Sequence, residues 1–250
     1  MDLKLDNVIL TRSTKTVYRD GKLLIKLFNE GYSIADILNE AHNHTIVEEA
    51  GFTVPKLEGV QKIKNRWAIV TEFIEGKTLS QLLAEKPAAA NAYLERFVDV
   101  QLAMHKYSSQ KLRNNTEKMY VYIDQCGLDA TTRYELHTRL ASLPRHSKLC
   151  HGDYCPSNVI ITPSDKAYVI DWAHATSGNA SADTARAYLM FRLAGEHALA
   201  DRYLDLFCCK SDTARQYVQK WMPIVAAAQL SKGKPEEKEF LLNWANVVEY

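Results

Sequence analysis

LCHGDYCPSNVIITPSDKAYVIDW, residues 149–172, decides how this chain is read. Within it, two short apolar runs, NVIIT (158–162) and AYVID (167–171), are separated by Pro163, Ser164 and Asp165. Turn-forming residues between two β-prone runs predict a hairpin. An antiparallel hairpin sets the start of one strand beside the end of its partner. Asn158 and Asp171 should therefore converge, with Asp153, five positions before Asn158, nearby. Two oxygen-bearing side chains and a free carboxylate suit hydrated Mg2+, which takes few protein ligands and completes its shell with water and phosphate.

N-terminal to this stretch the chain is strand-rich. VILTRS (8–13), KTVYRD (15–20) and LLIKLF (23–28) read as strands, the last two joined through Asp20-Gly21, a hairpin signal. Ser33 is a plausible N-cap for IADILNEAHNHTIVEEA (34–50), whose apolar residues recur near a 3.6 period, and Gly51 closes it. VPKLEGVQKI (54–63) and RWAIVTEFI (66–74) read as two more strands. After the polar connection EGKT (75–78), the amphipathic stretches LSQLLAE (79–85), NAYLERFVDVQLAMHKYS (91–108) and TTRYELHTRLASL (131–143) predict helices. Helices resume from about Ala182. The expectation is an α+β chain of two lobes. Residues 1–74 form a small antiparallel sheet with one helix, and residues 75–250 form a larger, mostly helical lobe.

His151, Asp153, Asn158, Asp171 and Trp172 reproduce the spacing of a kinase catalytic loop: His-x-Asp, four residues, Asn, then an Asp-aromatic pair. LLIK (23–26) puts Lys26 on the third strand, and Glu40, mid-helix, is placed to hold it by an ion pair. On VYRDGKLLIKLF (17–28), NEA (39–41), VPKLEG (54–59), HGDYCPSN (151–158), VIDWAHA (169–175) and ADTARAYLM (182–190), the chain resembles the aminoglycoside phosphotransferase and choline kinase family over residues 8–195. That family's fold is similar to the protein-kinase fold. The resemblance implies two lobes with a nucleotide in the cleft, Asp153 as base, Asn158 and Asp171 as Mg2+ ligands, and Lys26 with Glu40 positioning phosphate. It also implies γ-phosphoryl transfer from ATP or GTP to a hydroxyl of an amino sugar, amino alcohol or related small molecule.

Two features depart from the kinase pattern. Aligning Val17 with the valine of G-x-G-x-x-G-x-V puts Leu10, Arg12 and Lys15 at the glycine places. The loop TRSTKT (11–16) offers backbone N–H groups and the hydroxyls of Ser13, Thr14 and Thr16 to phosphate instead. Asp171-Trp172-Ala173 stands where D-F-G is usual, and only eleven residues separate Asp171 from Asp183. That leaves no room for an activation segment and argues against a protein kinase. A degenerate, kinase-like nucleotide-binding module is the alternative from another functional class, with the glycine-poor loop as its support. Glu72, Phe73 and Ile74 are the expected hinge to the nucleotide base. The acceptor is expected against His174 and Asp183. Glu196, Asp201, Asp205, Glu236, Glu237, Glu239 and Glu249 are further acids for a cationic acceptor, and Trp172, Tyr203, Trp221 and Trp244 are aromatic candidates. Asp183 opens ADTARAY, as a helix cap, a brace for the catalytic loop, or both.

Composition supports the same class. The 250 residues carry 31 Lys+Arg against 30 Asp+Glu, a net charge of +1, without the basic footprint of a duplex nucleic-acid binder. No apolar run is long enough to span a bilayer, and the opening residues lack a signal-peptide core. Five cysteines, two of them adjacent, do not make a disulfide framework, so a cytoplasmic setting is expected. Cys150, His151 and Cys155 fit no common zinc spacing. His105, on an apolar helical face, is expected to pack in the core with one hydrogen bond.

Overall fold

The structure, a computed structural model, describes residues 3–245. In chain order it contains β1 (Val8–Thr11), β2 (Lys15–Asp20), β3 (Leu23–Phe28), α1 (Ile34–Glu49), β4 (Leu57–Ile63), β5 (Arg66–Glu72), β6 (Lys77–Thr78) and α2 (Leu79–Glu85). Then follow α3 (Ala90–Met104), α4 (Asn115–Gln125), α5 (Ala130–Ser142), β7 (Lys148–Cys150), β8 (Val159–Ile161), β9 (Ala167–Val169) and β10 (Thr176–Gly178). The chain ends in α6 (Ala180–Leu193), α7 (His197–Ser211), α8 (Arg215–Gln219), α9 (Met222–Leu230) and α10 (Lys238–Ala245). These elements form two compact units. The first takes residues up to Lys86 and returns for Pro156–His174; the second takes Pro87–Cys155 and the chain from Ala175 onward.

The first unit is built on an antiparallel sheet in the order β1-β2-β3-β5-β4. Strand alternation sorts β3 into two faces. Ile25 and Leu27 pack with Ala68 and Val70 of β5 on one side. Lys26 and Phe28 point to the other, where Phe28 and Ile69 meet Ile37 and Ala41 of α1. Ser33 caps α1 by accepting from the Asp36 N–H. Gly21, at φ +58°, turns the β2–β3 hairpin with Asp20 opposite Leu23. The returning segment supplies the second hairpin: Val159 pairs with Val169, and Asp165 turns it at φ +61°. EGKT, expected to be only a connection, pairs Lys77–Thr78 with Ile160–Ile161 as a third strand beside this hairpin.

The second unit is helical around α9, whose residues are buried from Met222 to Gln229. Helices α4, α6 and α10 pack against it. Phe97 of α3 stacks on Tyr154 at 4.3 Å between ring centroids and meets Phe191 and Tyr203. α4 lies in a stretch whose polar face gave no helical signal in the sequence, yet Asn114 caps it and Met119 and Ile123 are buried. α3 stops at Met104 instead of running to 108, because the chain leaves it to bridge Ser108 with Lys148. No helix among the described residues is long and apolar enough to cross a membrane.

Candidate active site

In the first unit, the sheet face that carries Lys26 is the face α1 covers, so Glu40, one turn from Ile37 and next to Ala41, meets it. The Lys26 ammonium donates to Glu40 and, at 3.2 Å, to Oδ1 of Asp171. Burial alone would lower the Lys26 pKa, but Asp171 and Glu40 outweigh it and hold the amine well above its ordinary range. Lys15 joins the cluster: its ammonium lies 3.4 Å from Oδ2 of Asp171. Burial and the neighbouring Lys26 charge pull Lys15 down, against Asp171 and Glu40. Asp171 itself sits at φ +67°, a left-handed conformation that strains a residue other than glycine.

Asp171 is held from behind by α1. Asn43 donates its side-chain amide to the carbonyls of Trp172 (3.2 Å) and Ala173 (3.3 Å), and Asn39, one turn earlier, reaches Ala173. Trp172 is fully buried, with its indole N–H on Val169 and its ring edge-on to Phe52. The Ile170 N–H donates to the Asn158 carbonyl at 2.9 Å, which sets Asn158 one residue from Asp171 across the hairpin. Asn158 and Asp171 offer only oxygen and amide donors, a hard set that suits Mg2+ rather than a softer metal. Ser13 and Thr14 stand exposed at the β1–β2 turn, their carbonyls tied to Asn29. At the expected hinge, Phe73 and Glu72 commit their N–H groups to Lys22 and Lys56, and Ile74 is buried. His174 ends the short helical turn that follows Asp171.

In the second unit, β7 leads into the loop His151-Gly152-Asp153. Gly152 takes φ +76°, a turn that aims two successive N–H groups at one carboxylate. The His151 N–H donates to Asp183 Oδ2 at 3.1 Å and the Gly152 N–H to Oδ1 at 2.7 Å. His105 completes the set with its Nε2 3.2 Å from Oδ2. Burial pushes Asp183 up, but the His105 hydrogen bond, nearby His151 and the Gly152 N–H outweigh it and hold the carboxyl below its usual range. The Asp183 side chain is wholly buried, so it braces the loop from beneath and presents nothing to a substrate. The helix cap is Asn179, which accepts from the Ser181 N–H. His151 is buried, its Nδ1 accepting from the Asp153 N–H. Tyr154 anchors the loop by donating to the Phe97 carbonyl.

Asp153 is the half-buried part of this arrangement, and Arg186 of α6 pairs with it at 2.9 Å. The same guanidinium donates to the Gly152 carbonyl (2.6 Å) and to Gln229 (3.1 Å). Burial acts to raise the Asp153 pKa, but Arg186, Lys232 and His151 overcome it and keep the carboxylate ionised. Arg186 gave no sequence signal beyond its place in ADTARAY, and Lys15 had looked only like a departure from a glycine. The other acceptor candidates are engaged elsewhere: Asp201 and Asp205 pair with Arg215, and Glu237 with Lys234. Tyr203 and Trp221 are core residues, Trp244 packs edge-on to Tyr188, and Glu249 lies outside the described residues. His105, Cys150 and Asp183 lie close enough to suggest a metal. The donors do not suit one: burial and Asp183 push the Cys150 thiol far up, and Asp183 already accepts three hydrogen bonds.

A five-stranded sheet whose one helix supplies the partner of a buried lysine, with a largely helical remainder, is a kinase-like fold. Solved structures agree. A thermostable mutant of aminoglycoside phosphotransferase APH(4)-Ia matches with a TM-score of 0.70 at 15% identity, over 98% of this chain and 91% of its own. Choline kinase LicA from Streptococcus pneumoniae gives 0.64 at 16% identity, over 96% and 88%. Aminoglycoside phosphotransferase APH(3'')-Id from Streptomyces rimosus gives 0.64 at 18% identity, over 88% and 91%. No curated protein matches the sequence. The profile of the phosphotransferase enzyme family matches residues 10–221, and the chain belongs to that family. It is therefore a phosphotransferase of the small-molecule kinase type.

Proposed function

We propose that the protein transfers the γ-phosphoryl group of ATP or GTP to a hydroxyl of a small molecule. In this reading, residues 1–74 contribute the nucleotide contacts and residues 75–250 the catalytic loop and acceptor site. Lys26, positioned by Glu40, and Lys15 contact phosphate oxygens, with Ser13 and Thr14 at the loop tip. Glu72, Phe73 and Ile74 border the base, which has to use groups other than the Phe73 and Glu72 N–H groups. Asn158 and Asp171 would hold Mg2+, which neutralises phosphate charge when bound. The single observation that best supports this reading is the buried Lys26 shared between Glu40 and Asp171, an arrangement that serves phosphate positioning and has no need to exist in a merely structural sheet.

Asp153 is the base. It accepts a hydrogen bond from the acceptor hydroxyl and orients it toward the γ-phosphorus. The oxygen–phosphorus bond forms, the bond to the β,γ-bridging oxygen breaks, its electron pair leaves with the nucleoside diphosphate, and the hydroxyl proton passes to Asp153. His174 is the remaining acceptor contact from the sequence. For an amino sugar or amino alcohol, the acids Asp201, Asp205 and Glu237 would first have to leave their basic partners.

The test is ADP and GDP release with Mg2+ against pooled aminoglycosides, amino alcohols, sugars and their acidic derivatives. Asp153→Asn is the control and should lower turnover by about 100-fold or more while nucleotide still binds. Release that needs both an acceptor and Asp153 supports the reading. Tight nucleotide binding with no release from any pool favours the binding-module alternative.

A further inference from the structure

Helix α9 is apolar and buried over MPIVAAA (222–228), and the buried stretch closes on an amide, Gln229, which is 1% exposed. A buried amide is unfavourable unless both of its ends are paired. Both are. Its Oε1 accepts from Arg186 of α6 at 3.1 Å, and its Nε2 donates to Oε2 of Glu237 at 2.5 Å. Glu237 stands in the connection between α9 and α10, and its other oxygen accepts from Lys234 at 2.8 Å. Arg186 carries the line on to the loop of the base. Its Nε donates to the Gly152 carbonyl at 2.6 Å and its Nη2 to Oδ1 of Asp153 at 2.9 Å. A guanidinium is planar, so acceptors on all three of its nitrogens fix both its place and its plane.

The direction of every bond in this chain is dictated by its ends. A guanidinium only donates, and an ionised carboxylate only accepts. Burial acts to raise the Glu237 pKa, but the hydrogen bonds from Lys234 and Gln229 and the charges of Lys234 and Lys232 overcome it and keep the carboxyl ionised. Between a donor on one side and an acceptor on the other, the Gln229 amide stands only one way round. Turned over, its NH2 would face the guanidinium and its carbonyl the carboxylate, with both bonds lost.

We propose that Gln229 and Glu237 are positioning residues for phosphoryl transfer: Glu237 fixes the polarity of the Gln229 amide, Gln229 holds the plane of Arg186, and Arg186 holds the Asp153 carboxylate where the acceptor hydroxyl meets it. This rests on the reading of Asp153 as the base. Both residues act through Arg186. A small misplacement of a reacting group costs turnover out of proportion to its cost in binding. The connection between α9 and α10 therefore governs kcat and leaves the affinity for nucleotide alone.

The test follows Asp153-dependent release of ADP or GDP. The probe is the pool of aminoglycosides, amino alcohols, sugars and acidic derivatives at fixed concentration, while the nucleotide that supports release is varied. Glu237→Met leaves the Gln229 N–H without its acceptor and should lower kcat by about 10-fold, with the nucleotide KM within about 2-fold of the parent. Glu237→Gln should recover most of that loss, because its carbonyl can still take the Gln229 N–H while Lys234, 48% exposed, turns to water. The decisive comparison is made in Arg186→Lys, whose single ammonium cannot grip Gly152, Gln229 and Asp153 together. There Glu237→Met should cost less than about 2-fold further, because the link it acts through is already cut. Gln229→Met should lower kcat as Glu237→Met does and show the same dependence on Arg186. Equal losses in the two backgrounds, equal losses from methionine and glutamine at position 237, or a rise in nucleotide KM matching the fall in kcat overturns the inference and leaves the kinase reading standing. Absence of Asp153-dependent release from the parent overturns the kinase reading, and this inference with it.

Discussion

Arg186→Met is the perturbation that most directly separates the parts of the second unit. The guanidinium is 8% exposed and makes three contacts, to the Gly152 carbonyl, the Gln229 side chain and Asp153. Methionine keeps much of the volume and makes none of them. Gln229, 1% exposed, loses its donor inside the protein, and Gly152 loses one at the base of the loop. Each orphaned acceptor costs about 1–3 kcal/mol. The Asp153 partner adds less, because its carboxylate is 38% exposed and water replaces much of the ion pair. The expected loss is about 2–5 kcal/mol in urea unfolding, a large share of a domain's usual margin. Activity carries a second signature. Arg186 helps hold the Asp153 pKa down, so the carboxylate contributes stability above its unfolded pKa that is lost as pH falls through the lower folded value. Without Arg186 the folded pKa rises, and the acid limb of the kcat/KM profile moves to higher pH. Arg186→Lys, which keeps a charge, should move that limb less. A methionine variant within about 0.5 kcal/mol of the parent, a change typical of surface substitutions, with an unmoved acid limb, would refute the reasoning.

Asp171→Ala should abolish turnover, measured as ADP release, and lower the pKa of Lys26, which then keeps burial and loses its largest charge partner; residual turnover within 10-fold of the parent counts against its assignment. Lys15→Ala should raise the nucleotide KM by about 10-fold with little effect on acceptor KM, since its ammonium stands with Lys26 over Asp171.

What the sequence disclosed and what it hid divide along physical lines. The β2–β3 hairpin was legible because Asp20-Gly21 needs a particular backbone, and Gly21 adopts it. Lys26 and Glu40 were legible because the kinase pattern sets a lysine on the third strand and an acid mid-helix, and the fold turns both toward the same sheet–helix face. The hairpin pairing of Val159 with Val169 followed from its turn residues. β6 was hidden because two residues carry no period, and α4 because NTEKMYVYIDQ buries only a narrow stripe. Lys15 and Arg186 were hidden for a different reason. A charged residue on a strand end or helix is unremarkable until the fold supplies its partner from 156 or 33 positions away.

The two units differ in how their charges are held, and the difference bears on what each can do. In the first, two amines, Lys15 and Lys26, meet two carboxylates, Glu40 and Asp171, so the cluster is neutral as it stands. Under the proposed function such a set can exchange partners: phosphate oxygens arriving at the lysines would release Asp171, without net charge being stranded in a buried place. On that reading Lys15, standing where a glycine is usual, would offer a charge where the loop has lost backbone flexibility. In the second, Asp153 is met by Arg186 at 2.9 Å, a guanidinium already committed to the Gly152 carbonyl and to Gln229, so that charge is fixed in place. Under the proposed function, a carboxylate held by a base that is itself committed elsewhere keeps its ionised form and its position together, which is what a proton acceptor for a hydroxyl requires.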